Sequence, residues 1–225
     1  ALITTEKLGQ LKHRLILDCR VSGSNSTAKR RERILLPSAW DAIRDTLRFL
    51  SVAQKNQIVR YLVFDFKDAF YKMPLSEDEY KYFVASYAGG YYVWTRTAQG
   101  SVNGPTVFGR LAALTNRMAQ ALDDDDLACL QLFVDDPLAV LRGTDEEVNR
   151  RAARIVMLWL VLGYDLSWHK GQFGPEVDWI GYHLMHTATH VTASINEIFM
   201  DELFSLAKEL NGLNIIPRKV MQKFA

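Results

Sequence analysis

The run Leu130–Gly143, LQLFVDDPLAVLRG, sets two adjacent carboxylates, Asp135 and Asp136, inside an otherwise apolar stretch. Apolar runs of this length read as buried strands, where unpaired carboxylates are costly. Strand side chains alternate between faces, so a mid-strand position would drive one of the two acids into the core. A tight turn between LQLFV and PLAVL avoids this. Pro137 agrees, because it cannot donate to a ladder and is tolerated at a strand's first residue. The stretch therefore predicts a buried hairpin with both acids at its tip.

Working outward, GPTVFGRLAALTNRMAQAL before the hairpin predicts a helix with Pro105 in its first turn. After it, Thr144 and Glu147 form a capping box for a helix to Leu162 that Gly163 ends. Upstream, IVRYLVFDF is an apolar strand ending at Asp65. From residue 58 the order is strand, excursion, helix, strand–turn–strand, helix, strand. With right-handed crossovers this predicts an α+β fold, a ferredoxin-like split βαβ sheet with helices on one face.

The flanks add further elements. ALITT and LKHRLILDC read as strands around a Gly9 turn, SGSNSTAKRRER as a polar, basic loop, and Ser38 with Asp41 as the start of a helix to about Ala53. Two β-rich runs joined by Gly89-Gly90 predict a hairpin over 82–96. The segments before residue 58 and this hairpin are expected to fold over the open face of the sheet. Three β-like stretches near 169–173, 177–184 and 187–192 precede a helix capped by Ser194 with Glu197. The tract DDDD at 123–126 is expected to end its preceding helix as solvated acids.

Composition bounds the class. With 225 residues and 48% hydrophobic content, the chain is long enough for a real core. Cys19 and Cys129, far apart, argue against a disulfide scaffold or zinc site and suit an intracellular compartment, cytoplasm or nucleus. No run approaches a membrane span, so no membrane partner is expected. Ala1 at the start and IIPRKVMQKFA at the end read as a piece of a longer polyprotein or multidomain chain. Residues 1–60 carry 12 Lys and Arg against 5 Asp and Glu, while the other 165 carry 15 against 21. That asymmetry suggests a polyanion held over an acidic, metal-binding site.

Two adjacent carboxylates repel, and a cation relieves them without protonation. Oxygen-only ligands point to magnesium, with manganese possible. Holding two ions needs a third acid, and Asp65 is the candidate, since its strand can lie beside the 135–136 hairpin. Two ions roughly 3.5–4 Å apart would clamp the attacking and leaving oxygens of a phosphoryl transfer.

These residues carry a resemblance. FDFKDAFYKMPL, QGSVNGPTVFGRL, FVDDPLAV, LGYDLSWHKGQFG, VDWIGYHL and, ahead of them, KHRLILDCR resemble the ordered motifs of reverse transcriptases over residues about 12 to 184. The resemblance implies a polymerase right-hand palm (59–71 and 101–184), fingers (1–58 and 72–100) and the start of a thumb (185–225). It implies an RNA-directed DNA polymerase of a retroelement that extends a primer on an RNA or DNA template with dNTPs. Asp65, Asp135 and Asp136 would bind the metals. Phe70 would be the steric gate under the sugar, and Gln99 and Gly100 would meet the incoming nucleotide and template. Arg14 and Lys12 would meet the triphosphate, with Lys7 a further candidate. Lys170 would be the general acid for pyrophosphate release. Trp179, Gly181 and Tyr182 would form the primer grip. Pro137 stands where the family has a large aliphatic or aromatic residue. Two rivals are an RNA-dependent RNA polymerase, against which Phe70 speaks, and a catalytically silent reverse-transcriptase-like scaffold, against which the three retained acids speak.

Overall fold

The computed structural model describes residues 2–7, 10–19, 21–29, 32–195 and 197–211. In chain order, β1 (Leu2–Lys7) and β2 (Gln10–Leu15) pair antiparallel from Leu2↔Leu15 to Lys7↔Gln10. The short helix α1 (Ser24–Thr27) interrupts the polar loop. Helix α2 (Ala39–Val52) starts where expected, with the Ser38 backbone N–H donating to Asp41 Oδ2 at 2.8 Å. Strand β3 (Ile58–Val63) follows, then the β4 (Val84–Tyr87) and β5 (Gly90–Val93) hairpin. Helix α3 (Gly104–Gln120) carries its proline in the first turn. It leads into β6 (Ala128–Phe133) and β7 (Asp136–Gly143). Helix α4 (Asp145–Val161) has the Thr144–Glu147 capping box. After it come β8 (Gln172–Gly174), β9 (Glu176–Trp179), β10 (Tyr182–His186), β11 (Val191–Ile195) and α5 (Glu197–Leu210).

Four strands form the central sheet in the order β6-β7-β3-β8, every pair antiparallel. With α3 and α4 as crossovers, this is the ferredoxin-like split βαβ arrangement. One face packs on those helices: Leu62, Leu130 and Leu141 meet Phe108, Ile155 and Trp159. On the other face, Tyr61, Val63, Leu138 and Val140 meet Phe49 of α2 with Trp179 and Leu184 of β9–β10. Alternate residues of β7 serve the two clusters, which is why its sequence is continuously apolar.

Several expectations are corrected here. Of the segments expected over the second face, α2 covers it. The β4–β5 hairpin contributes nothing to that cluster, and β9–β10 takes its place. The hairpin turn is Ala88-Gly89, with φ of 48° and 78°, and Gly90 already pairs with Tyr87. The stretch expected as one strand near 177–184 is two, broken at Ile180-Gly181 with φ of 45° and 83°. Ser194 pairs with His183 inside β11, so it does not cap α5. Asp123 is not a solvated acid. Its side chain is 7% exposed and takes Arg151 Nε at 3.1 Å together with the Arg154 guanidinium. Residues 212–225, expected in the thumb, lie outside the described residues. Among the described residues no helix is long and apolar enough to cross a membrane.

Candidate active site

The apolar arms and the acids of the opening stretch separate as the pleat requires. Phe133 pairs with Asp136, Val134 takes a left-handed φ of 55°, and Asp135 sits in the turn. Asp136 is therefore the first residue of β7 rather than part of the tip, and Pro137 is the second. This explains how a proline fits a strand flanked on both sides. Its carbonyl accepts from Phe64 N–H at 3.2 Å, one residue beyond the last β3 pair, Val63↔Leu138. The reciprocal donation, from residue 137 to the Phe64 carbonyl, is the one a proline cannot make, and it falls just past the end of the ladder.

Asp65 lies two residues beyond β3, and the chain there is strapped to the acid turn by Phe66 N–H on the Asp135 carbonyl at 2.8 Å. The three acids thus come from two adjacent strand ends. Asp136 shows the electrostatic result. Burial first, then the charges of Asp135 and Asp65, push its carboxyl up to about 6, against a smaller downward pull from Lys170. Asp65 is four-fifths buried; Ser167 Oγ donates to its Oδ2 at 2.6 Å and the Lys170 ammonium pairs with its Oδ1.

An open cleft of about 810 Å³ runs over this corner, lined among others by Asp65, Asp135, Phe70, Trp94, Gln99 and Lys170. Phe70 lies on a 3-10 turn, Ala69–Lys72, with its ring 5.6 Å from that of Phe108. The Gln99 carbonyl accepts from Leu17 N–H at 2.9 Å. Gly100 has φ +106°, and a Cβ there would collide with the Leu17 carbonyl oxygen, so this position requires glycine. Trp179 is buried, and its indole N–H donates to the Asp136 carbonyl at 3.0 Å. Gly181 forms the turn into β10, where Tyr182 pairs with Trp179 across the turn and is itself exposed. Lys12 and Arg14 are on β2, and Lys7 ends β1. Their side chains lie outside the described residues.

Four residues carry no assigned role in the sequence. Ser167 holds Asp65. Asn25 clamps the glutamine–glycine loop, its Nδ2 donating to the Gly100 carbonyl and its Oδ1 accepting from Val102 N–H, both at 2.9 Å. Tyr71 and Trp94 stack at 6.0 Å on the wall of the cleft. The polar pair are a serine in a loop and an asparagine in the short helix α1, with partners 75 or more residues away, and carry no local signal.

A divalent cation suits the donor set, which is all oxygen and in which burial first, and then the charges of Asp135 and Asp65, raise the Asp136 carboxyl. The geometry is not closed around such an ion. Among the described residues no three of Asp, Glu, His and Cys converge as a ready metal centre, and the Asp65 carboxylate is turned to Ser167 and Lys170.

Residues 13–184 match the family described as Reverse transcriptase (RNA-dependent DNA polymerase). The chain is 29% identical over 192 residues to the Gag-Pol polyprotein of Avian reticuloendotheliosis virus, matching 81% of this chain and 15% of that protein's length. Among solved structures it resembles the foamy viral protease-reverse transcriptase dRH in complex with double-stranded DNA. There the identity is 20% and the TM-score 0.67, with 99% of this chain and 34% of that one covered. The foamy viral protease-reverse transcriptase in complex with an RNA/DNA hybrid gives 18% identity and a TM-score of 0.61, covering 99% and 26%. These likenesses show the fold, that of a right-hand polymerase.

Proposed function

Because this chain belongs to the reverse transcriptase family, we propose that it is the polymerase part of a retroelement polyprotein and transfers nucleotides from dNTPs to a primer 3′-hydroxyl on an RNA or DNA template. Residues 59–71 and 101–184 act as palm, 1–58 and 72–100 as fingers, and 185–225 begin the thumb. The site of action is intracellular, in cytoplasm or nucleus.

The observation that supports this reading is the corner where two strand ends bring Asp65 and Asp135 to one cleft, with Asp136 beside them pushed up to about 6 by burial and by its two acidic neighbours. Asp65, Asp135 and Asp136 would hold two magnesium ions, which when bound supply charge neutralisation at the attacking and leaving oxygens. The 3′-hydroxyl attacks the α-phosphate and pyrophosphate leaves. The chain's own groups position the reactants. Phe70, fixed against Phe108, sits under the sugar and excludes a 2′-hydroxyl. Gln99 and Gly100, held by Leu17 and Asn25, meet the nucleotide and template. Lys170, at the cleft, gives a proton to the departing pyrophosphate. Lys12 and Arg14 meet the triphosphate. The Ile180-Gly181 turn with Tyr182 supports the primer end, and Trp179 ties it to Asp136.

Primer extension on an RNA template, with Asp135→Asn as the control, tests this. The unmutated protein should extend primers with dNTPs and the variant should not; equal extension by both sinks the enzyme reading. Phe70→Ala should narrow the preference for dNTPs over NTPs by about tenfold or more, the loss of a close steric contact being worth roughly 1–3 kcal/mol. Unchanged sugar selection removes the gate from Phe70.

A further inference from the structure

We propose that Ser167 is a positioning residue for Asp65, presetting the carboxylate for a divalent cation. This rests on the reading of Asp65 as a metal-binding acid. The segment 165–167 runs antiparallel beside 65–67 and is pinned to it by two backbone hydrogen bonds. Lys67 N–H donates to the Asp165 carbonyl at 2.7 Å and Ser167 N–H donates to the Asp65 carbonyl at 2.9 Å, which together make the Phe66–Leu166 bridge. The Ser167 hydroxyl then continues from backbone to side chain, donating to Asp65 Oδ2 at 2.6 Å. Ser167 is 8% exposed, so water competes poorly for this hydroxyl.

Position and chemistry both favour orientation over mere packing. Asp65 lies past the end of β3, where no ladder holds its backbone from the β8 side: β8 pairs with Tyr61 to Val63 and stops. The 165–167 strap replaces that ladder, and the hydroxyl removes the freedom the carboxylate would otherwise have about its Cα–Cβ and Cβ–Cγ bonds. The hydroxyl takes one lone pair of Oδ2 and leaves its other to ligate, while the Lys170 ammonium on Oδ1 is the partner an incoming cation would displace. Hydrogen-bond partners of ligating carboxylates tune metal affinity, by roughly 10–100-fold when lost. Ser167 reaches the metal through Asp65 and touches no reacting atom itself.

The test is Mn2+ binding to the 225-residue chain by electron paramagnetic resonance, with the Mg2+ concentration for half-maximal primer extension as a second readout. Four variants, Ser167→Ala, Ser167→Cys, Ser167→Thr and Asp65→Asn, are compared with the unmutated chain, and a melting curve is recorded for each. Ser167→Ala should weaken Mn2+ binding and raise the Mg2+ requirement about tenfold, with little change in rate at saturating Mg2+. Ser167→Cys, similar in size but a weak donor, should behave like alanine, and Ser167→Thr should restore binding. Should Ser167→Ala not fold, Cys against Thr decides the matter. Mn2+ affinity that is the same for Ser, Thr, Cys and Ala, or that follows melting temperature instead of the hydroxyl, overturns the proposal. Asp65→Asn separates the two failures. If it too leaves Mn2+ binding unchanged, the reading of Asp65 as a metal-binding acid falls; if it abolishes binding while Ser167→Ala does not, only Ser167 loses its role.

Discussion

The β6–β7 hairpin carries acids at both ends. Before β6, Asp123 is enclosed by Arg151 and Arg154, Arg48 and Arg142 reach the Asp125 and Asp126 carbonyls, and Gln120 reaches the Asp125 carboxylate. At the other end, the turn residue Asp135 and Asp136 at the start of β7 face a third acid, Asp65, and the neighbouring Lys170 that lowers the Asp136 carboxyl is outweighed by burial and by the two acids that raise it. One residue type serves opposite ends in opposite ways. At the first end the fold supplies two arginines and Asp123 holds structure; at the other a single lysine, Lys170, pairs with Asp65 and does not offset the upward push on Asp136.

The widest separation between the two ends should come from activity. Asp136→Asn is expected to cut primer extension at least about 10³-fold, roughly 4 kcal/mol of barrier, while leaving the melting temperature unchanged or raised. Equal loss of melting temperature and activity would make the tip acids structural and erase the contrast.

Asp123→Ala should do the reverse. Arg151, with only 10% of its side chain exposed, would lose its nearest carboxylate. Breaking one partner of such a pair costs about 3–5 kcal/mol. Arg151 Nη1 also donates to the Arg142 carbonyl at 3.0 Å, which places the expected loss at the lower end. Urea unfolding measures this, and activity per folded molecule should hardly change. A loss below about 1 kcal/mol would mean the cluster is a solvated surface after all.

The pH response sharpens the comparison at the tip. The Asp136 carboxyl is raised in the folded chain to about 6 from its ordinary 3.8, so ionising it opposes folding. Stability from this group is full below pH 3.8 and is lost as the pH rises towards 6 and above, by on the order of 2–3 kcal/mol in the absence of metal. The difference in urea stability between the unmutated chain and Asp136→Asn should therefore shift in favour of the variant between pH 4 and pH 7.5. Millimolar Mg2+ should shrink that shift, because a bound cation favours the ionised form. A pH-independent difference would mean that neither burial nor the neighbouring acids raise the Asp136 carboxyl.

How much of this was open to the sequence follows from the range of each signal. The sheet order came from the alternation of strand and helix, and Thr144–Glu147 and Ser38–Asp41 announced their helices within four residues. The three acids were legible because two stand side by side in an apolar run and the third ends another. Asp123 was misjudged because its partners, Arg151 and Arg154, arrive 28 and 31 residues later on another helix. Ser167 meets Asp65 across 102 residues and Asn25 meets Gly100 across 75, with nothing local to mark either. The Ala88-Gly89 turn was missed by one residue because a following glycine offered the same freedom.

Pro137 gives the smallest expected effect and the finest test of the tip. Pro137→Ala restores an N–H facing the Phe64 carbonyl, just beyond the last pair of β3. One added backbone hydrogen bond is worth about 0.5–1.5 kcal/mol. Losing the ring frees the unfolded chain and costs about 0.4–1 kcal/mol. The two nearly cancel, so urea stability should move by less than about 1 kcal/mol. The acids' backbone should also keep its place, because Phe66 N–H on the Asp135 carbonyl and the Trp179 indole on the Asp136 carbonyl do not involve residue 137. Primer extension by Pro137→Ala should then stay within about threefold of the unmutated protein, as expected for a shift below about 1 kcal/mol. A tenfold change in either direction would mean that proline tunes the acid turn itself, and that the tip is set by its backbone as much as by its unneutralised charge.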